Sequence, residues 1–268
     1  MLKALRSFPA GSSEGPDGLR PQHIVDLVSC KTGGPALLSS LTGFVNLILD
    51  GGCPTNLRPI LFGARLIAIE KKSGGIRPIA VGYTVRHLAA KCANSFAQDQ
   101  LAGYFKPLQL GVAVAGGCEA AVHATRHFVT QMSTGDAVVK VDFSNAFNSI
   151  RRDVMLNATS SRLPQLYNFC WSAYNGDSIL QYGEKSIISA EGVQQGDPIG
   201  PLLFCLTLHL LLSSFSSKLR VGYLDDVTLG GSLEILNPDV ASVTSEGAAM
   251  GLQLNTSKCE IICPSKCP

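Results

Sequence analysis

Two adjacent carboxylates, Asp225 and Asp226, interrupt an otherwise apolar and β-branched run at residues 219–231, with Gly222 on one side and Gly230-Gly231 on the other. A run of this kind, bounded by glycine, reads as a strand, a tight turn and a returning strand, which puts the two acids at the bend. Like charges this close raise each other's pKa and lose solvation unless a cation lies between them. Asp is also an ordinary turn residue. On this stretch alone, a solvated hairpin turn and a divalent-metal site account for the pair equally well.

An earlier stretch has the same design. The β-branched run at residues 137–141 delivers one acid, Asp142, at its end, and Ser144 and Asn145 then suggest a turn into a helix. Three carboxylates on two strand ends are thus able to converge. Hard oxygen donors of this kind suit Mg²⁺. A pair of such ions serves phosphoryl transfer, one lowering the pKa of an attacking hydroxyl and the other stabilising the leaving oxygen.

Further motifs occur in order along the chain: Gly15-Pro16-Asp17-Gly18-Leu19, Ile69-Glu70-Lys71-Lys72-Ser73-Gly74-Gly75-Ile76-Arg77-Pro78-Ile79, Val141-Asp142-Phe143-Ser144-Asn145-Ala146-Phe147, Glu191-Gly192-Val193-Gln194-Gln195-Gly196-Asp197-Pro198, Tyr223-Leu224-Asp225-Asp226 and Gly251-Leu252-Gln253-Leu254-Asn255-Thr256-Ser257-Lys258. Together they resemble the reverse transcriptase domain of a non-LTR (LINE-like) retroelement. The resemblance implies an α+β right-hand polymerase core, with an antiparallel palm sheet backed by helices. It implies a lead-in and helix at 1–54 packed on the fingers, then a reverse transcriptase domain at 55–268, divided into fingers (about 55–135) and palm (about 136–268). The implied activity is RNA-directed DNA polymerisation, a two-metal nucleotidyl transfer of dNTPs onto a primer 3′-hydroxyl. Asp142, Asp225 and Asp226 would be the catalytic metal ligands for two Mg²⁺ ions, with Mn²⁺ as a substitute, and Lys258 would protonate the departing pyrophosphate. Lys71 or Lys72, with Arg77, would meet the triphosphate and templating nucleotide. Phe147 would pack under the incoming sugar, and Gln195 and Gly196 would lie beside the nascent pair. RNA template, DNA primer and dNTPs are the implied partners. Only residues 259–268 follow Lys258, so a thumb is expected to be absent, and thumb and endonuclease segments of a longer polyprotein are expected downstream. An RNA-dependent RNA polymerase and a catalytically silent nucleic-acid-binding remnant are the alternatives.

With 268 residues, 46% of them hydrophobic, the chain can bury a sizeable core. A net charge of +2 does not announce nucleic-acid binding, so any electrostatic footprint must be local. The region from Arg58 to Lys91 supplies a candidate, with Arg65, Lys71, Lys72, Arg77 and Arg86 between them and Glu70 the only acid. Nine cysteines are scattered without disulfide spacing, and residues 1–10 lack the apolar core of a secretory signal. The expectation is an intracellular protein, nuclear or cytoplasmic, not secreted. Cys259, Cys263 and Cys267 lack the paired spacing of a zinc site. The apolar run at 201–215 is too short to span a bilayer and reads as a buried helix, so no membrane partner is expected.

The remaining punctuation is local. Residues 1–36 read as a loop-rich lead-in, and 37–48 as a helix stopped by Gly51-Gly52. Residues 66–69 and 76–81 form a hairpin with a glycine tip, whose second strand Pro78 assigns to an edge. Helices follow near 85–101 and 118–132, then a mixed segment at 150–182 whose Phe169, Trp171 and Tyr174 read as core. Asn237 as cap and Pro238 at the first position predict a helix running to Gly251, and two strands, 252–254 and 259–263, are expected to close the sheet.

Overall fold

The structure, a computed structural model, describes residues 1–71 and 74–264, so Lys72 and Cys267 lie outside it. From the N-terminus run α1 (Leu2–Arg6), α2 (Pro21–Ser29), α3 (Gly34–Leu49) and α4 (Arg58–Leu61), then the hairpin β1 (Ala64–Glu70) and β2 (Ile76–Gly82). Two long helices follow, α5 (Thr84–Phe105) and α6 (Gly117–Thr130), then β3 (Asp136–Val141), β4 (Phe143–Ser144), α7 (Ala146–Ser149), α8 (Arg152–Arg162) and α9 (Tyr167–Tyr174). The chain continues through β5 (Ser178–Tyr182), β6 (Lys185–Ser189), α10 (Gly200–Ser214), β7 (Leu219–Tyr223), β8 (Asp226–Ser232), α11 (Leu233–Ala249), β9 (Gln253–Leu254) and β10 (Glu260–Ile262).

The chain divides into two compact units that alternate in sequence, one made of residues 1–97 and 156–200, the other of 98–155 and 201–268. The fingers and palm ranges expected from sequence are separated by a single cut near residue 135. In the first unit a sheet runs β2-β1-β5-β6, antiparallel except where Ala64 and Arg65 of β1 meet Leu180 and Gln181 of β5 in parallel. β2 lies at the edge, where Pro78 costs no ladder bond. Phe62 and Phe169 meet edge to face in the core beneath.

In the second unit the sheet runs β10-β3-β8-β7, antiparallel throughout. Phe128 of α6 packs with Leu110, Leu219 and Val221, and its ring fills the space a side chain at Gly230 would need. Leu212 of α10 closes on Gly222 in the same way. α10 is buried almost all round, with Leu202, Leu203, Phe204, Cys205, Leu206 and Leu208 all inaccessible, which is why its sequence shows no polar face. No helix among the described residues is long and apolar enough to cross a membrane.

Four expectations change. Residues 1–36 are not simply loop: α1 and α2 form there, α2 starting on Pro21 at a first-turn position and burying Ile24. α11 begins at Leu233, so Pro238 lies inside the helix. Burial of Leu236, and of the Asp239 carboxylate that accepts hydrogen bonds from the Ser216 and Ser217 amides and the Ser217 hydroxyl, outweighs the one helical bond Pro238 cannot make. The β5–β6 hairpin was not foreseen. Its second strand alternates weakly and is exposed at four of five positions, leaving little period-two signal. Finally, only β10 joins the larger sheet, while β9 pairs with β4 in a separate two-stranded ribbon.

Candidate active site

The pairing of β7 with β8 ends at Tyr223 opposite Asp226, so Leu224 and Asp225 are the two turn residues. Two-residue hairpin loops need a positive φ, which glycine normally supplies. Leu224 has φ 57°, a conformation that costs a bulky residue on the order of 1–3 kcal/mol unless its surroundings impose it. Those surroundings are visible. Gln109, wholly buried, donates from Nε2 to the Leu224 carbonyl (3.1 Å) and accepts at Oε1 from the Leu224 amide (3.0 Å) and the Gly111 amide (3.0 Å).

β3 approaches this turn from the other side. Its last ladder pair with β8 is Val141 with Val227, and one further step of the same register sets Asp142 opposite Asp226. The backbone of Asp142 is held in turn: its carbonyl accepts from the Asn255 amide (2.9 Å), and the Cys259 thiol lies against both its nitrogen and its oxygen. Lys258, exposed, sits on the turn so pinned, its amide bonded to the Asn255 carbonyl. Below, burial and then the negative charge of Asp225 push the Cys205 thiol far above its usual range. Among the described residues no three His, Cys, Asp or Glu side chains are gathered closely enough to hold an ion. The backbones of the three acids converge, and their carboxylates do not touch one centre.

Phe147 follows a short connection in which Asn145 also takes a positive φ, 48°. Its half-buried ring stacks on Phe204 of α10, with centroids 4.4 Å apart and planes 24° from parallel. One face of the ring is thereby fixed.

In the first unit, Gln195 and Gly196 lie on β2: the Gln195 carbonyl accepts from the Ala80 amide (2.7 Å), and a Cβ at Gly196 would fall 2.4 Å from the Ala80 oxygen. Gly196, at φ 118°, is therefore required both by conformation and by close approach. Arg77 is exposed on the same strand, three residues earlier, and Lys71 opens the loop joining β1 to β2. Near the other end of β2, where Gly82 lies against Arg86, is a buried network that sequence reasoning missed. Arg86 pairs with Asp197 (2.6 Å) and donates to Gln194 Oε1 (2.7 Å). The Gln194 amide reaches the Phe62 carbonyl and Ser178 Oγ, and the Tyr174 hydroxyl donates to Asp197. Neighbouring His87 accepts from the Gly82 amide (3.3 Å). Burial first, then the Arg86 charge, lower its pKa from 6.5 to about 4 against the opposing pull of Asp197.

Four residues of the basic run are engaged by partners within the first unit, whereas Arg77 is exposed. Arg86 is buried, Arg65 pairs with Glu14, Lys91 bonds Ser7 above the Phe8 ring, and Arg58 lies over Trp171. Phe169 and Tyr174 are core, as the sequence suggested.

Residues 69–267 match the family described as reverse transcriptase (RNA-dependent DNA polymerase). The chain belongs to this family. The reverse transcriptase domain is similar to the SLACS 132 kDa retrotransposable element protein of Trypanosoma brucei gambiense, 27% identical over 96% of this chain and 22% of that protein. It is similar also to the retrovirus-related Pol polyprotein of the type-2 retrotransposable element R2DM of Drosophila melanogaster, 25% identical over 92% of this chain and 24% of that protein. These relatives are non-LTR retrotransposon proteins, so the identification made from the motifs holds, and the chain spans about a quarter of their length. In fold, the domain resembles apo telomerase from Candida tropicalis, with a TM-score of 0.59 at 10% identity, covering 86% of this chain and 50% of that one. A form of that telomerase truncated from its C-terminal domain gives 0.57 at 13% identity, covering 78% and 52%. Antiparallel sheets backed by helices are thus the polymerase fold expected.

Proposed function

We propose that this domain is the polymerising core of an RNA-directed DNA polymerase, adding deoxynucleotides to a DNA primer 3′-hydroxyl along an RNA template. The observation that carries the reading is the register of β3 on β8, which brings Asp142 level with Asp226 beside the Asp225 turn. Three carboxylates offer the hard oxygens that divalent cations take, and Asp142, Asp225 and Asp226 would hold two Mg²⁺ ions, or Mn²⁺ in their place. Bound there, such ions supply charge to developing oxyanions and a lower pKa to an attacking hydroxyl.

The chain's own groups do the rest. Phe147, backed by Phe204, fills the space a ribose 2′-hydroxyl needs. Arg77 offers phosphate a planar fork of donors, and Lys71 or Lys72 a mobile point charge. Gln195 and Gly196, fixed on β2, back the incoming sugar and base. Lys258, on the turn that grips Asp142, gives a proton to the departing pyrophosphate. Relatives about four times as long support a place within a larger polyprotein; an intracellular setting, and thumb and endonuclease segments beyond this domain, belong to the same proposal.

Primer extension with Mg²⁺, an RNA template and either dNTPs or rNTPs tests the reading. Extension that needs dNTPs and disappears in Asp142→Asn and Asp225→Asn, both still folded, is expected. Equal use of rNTPs would point to an RNA-dependent RNA polymerase, and duplex binding without extension to a silent remnant.

A further inference from the structure

The side chain of Gln109 spends all its visible hydrogen bonds beside one turn. The segment that carries it is already tied to β7 by backbone bonds, Leu110 amide to Gly222 carbonyl and Gly222 amide to Leu108 carbonyl, both 2.7 Å. The side-chain amide is therefore not needed to attach the segment. It closes instead on both polar backbone groups of Leu224, the residue in the unfavourable conformation next to Asp225. Two glycines make room for it. A Cβ at Gly222 would lie 2.9 Å from Gln109 Nε2, and a Cβ at Gly111 would lie 2.3 Å from the Leu224 nitrogen. A wholly buried amide, a strained leucine and two glycines with no space for a side chain form one clamp.

We propose that Gln109 is a positioning residue for nucleotidyl transfer: it holds Leu224 in the left-handed conformation and so aims Asp225 and Asp226 at the metal site. This rests on the reading that those two carboxylates bind the catalytic cations. Without Gln109 the Leu224 amide and carbonyl lose their partners, the turn relaxes, and cations bind a displaced pair of acids. Substrate contacts made elsewhere are untouched.

The test uses the whole chain with Gln109→Leu, which matches the side chain in size and removes its polarity, and Gln109→Glu, which keeps the acceptor and loses the donor. Three quantities are read: Mn²⁺ affinity from the free-ion electron paramagnetic resonance signal, hydrogen exchange at the Leu224 amide, and kcat and KM for dNTP. In variants that melt near the parental temperature, Mn²⁺ affinity and kcat are expected to fall about tenfold to a hundredfold, the range typical for losing a group that orients a metal ligand, with KM little changed. The Leu224 amide should lose protection. Adding Leu224→Gly to Gln109→Leu should restore part of both losses, because glycine takes the positive φ unaided. Parental Mn²⁺ affinity and Leu224 protection in a folded Gln109 variant would overturn the proposal. So would a lower melting temperature with no change in metal affinity, or a double variant no better than the single. Should the parental protein bind no Mn²⁺ and extend no primer, the metal reading itself fails. Amide exchange then still decides whether Gln109 fixes the turn.

Discussion

The Cys259 thiol lies 3.5 Å from the backbone nitrogen of Asp142 and 3.8 Å from its carbonyl oxygen, bridging the two polar groups of the residue that ends β3. A thiol is a weak donor and acceptor, and the Asn255 amide makes the stronger bond to the same carbonyl. Cys259→Ser, with a hydroxyl in the same place, should extend primers within about twofold of the parent, since one polar contact replaces another at about 1 kcal/mol or less. Cys259→Leu, which crowds Asp142 and offers it no polar group, should lose most extension while remaining folded by circular dichroism. Parental extension by the leucine variant would show that this contact is incidental.

Phe147 and Phe204 form a stacked pair, so the position of the first ring depends on the second. Phe147→Val should admit ribonucleotides. Phe204→Leu should also relax sugar discrimination, though less, and should cost about 1–3 kcal/mol of stability because a buried ring is exchanged for a smaller group. Competition between dNTP and rNTP in single-nucleotide extension measures the first effect, and urea unfolding the second.

Arg86 and Asp197 pair in complete burial, with Gln194 and Tyr174 attached. Removing one charge leaves the other buried and alone. Asp197→Asn or Arg86→Met should therefore destabilise the protein by about 3–5 kcal/mol, whereas replacing both by apolar residues should cost less than the sum of the single changes. A double-mutant cycle by urea denaturation reads the coupling, and strict additivity would contradict the network.

His87 gives the protein a stability that depends on acidity. Unfolded, the ring takes a proton near 6.5; folded, burial and the adjacent Arg86 hold it neutral down to about 4. Between these values the unfolded chain binds more protons, so this contribution is complete above about pH 6.5 and is lost as the pH falls toward 4. Its ceiling is about 3 kcal/mol at 1.36 kcal/mol per unit. His87→Gln, which retains an acceptor for the Gly82 amide and does not titrate, should flatten the dependence of unfolding free energy on pH over that window.

What the sequence disclosed was whatever depends on neighbours in the chain. The β7–β8 hairpin was readable because apolar strands flank the two acids, and the β1–β2 hairpin because its strands are β-rich and its tip is glycine. The edge placement of β2 followed from Pro78 alone. What stayed hidden depends on partners far away. Gln109 in Leu108-Gln109-Leu110-Gly111 has no local mark of its task, since Leu224 stands 115 residues on, and Arg86 resembles any surface arginine until Asp197 is brought to it from 111 residues away. The alternation of Leu108, Gln109 and Leu110 does suggest an extended segment with its glutamine on the face opposite the leucines, the one signal available. Pro238 misled for the opposite reason, a strong local rule being overridden by the burial of Leu236 and Asp239.

Because Ala64 and Arg65 of β1 find their second neighbours in Leu180 and Gln181, the first sheet cannot be completed by the residues that open it. On the ribosome, β1 and β2 emerge more than a hundred residues before β5, leaving one side of β1 with unpaired amides and carbonyls for roughly 5–20 s at ordinary synthesis rates. A bare strand edge invites pairing with other chains. Newly made copies on one messenger thus face a choice between waiting for their own downstream hairpin and joining a neighbour's, and chains truncated between residues 97 and 178 carry that open edge permanently.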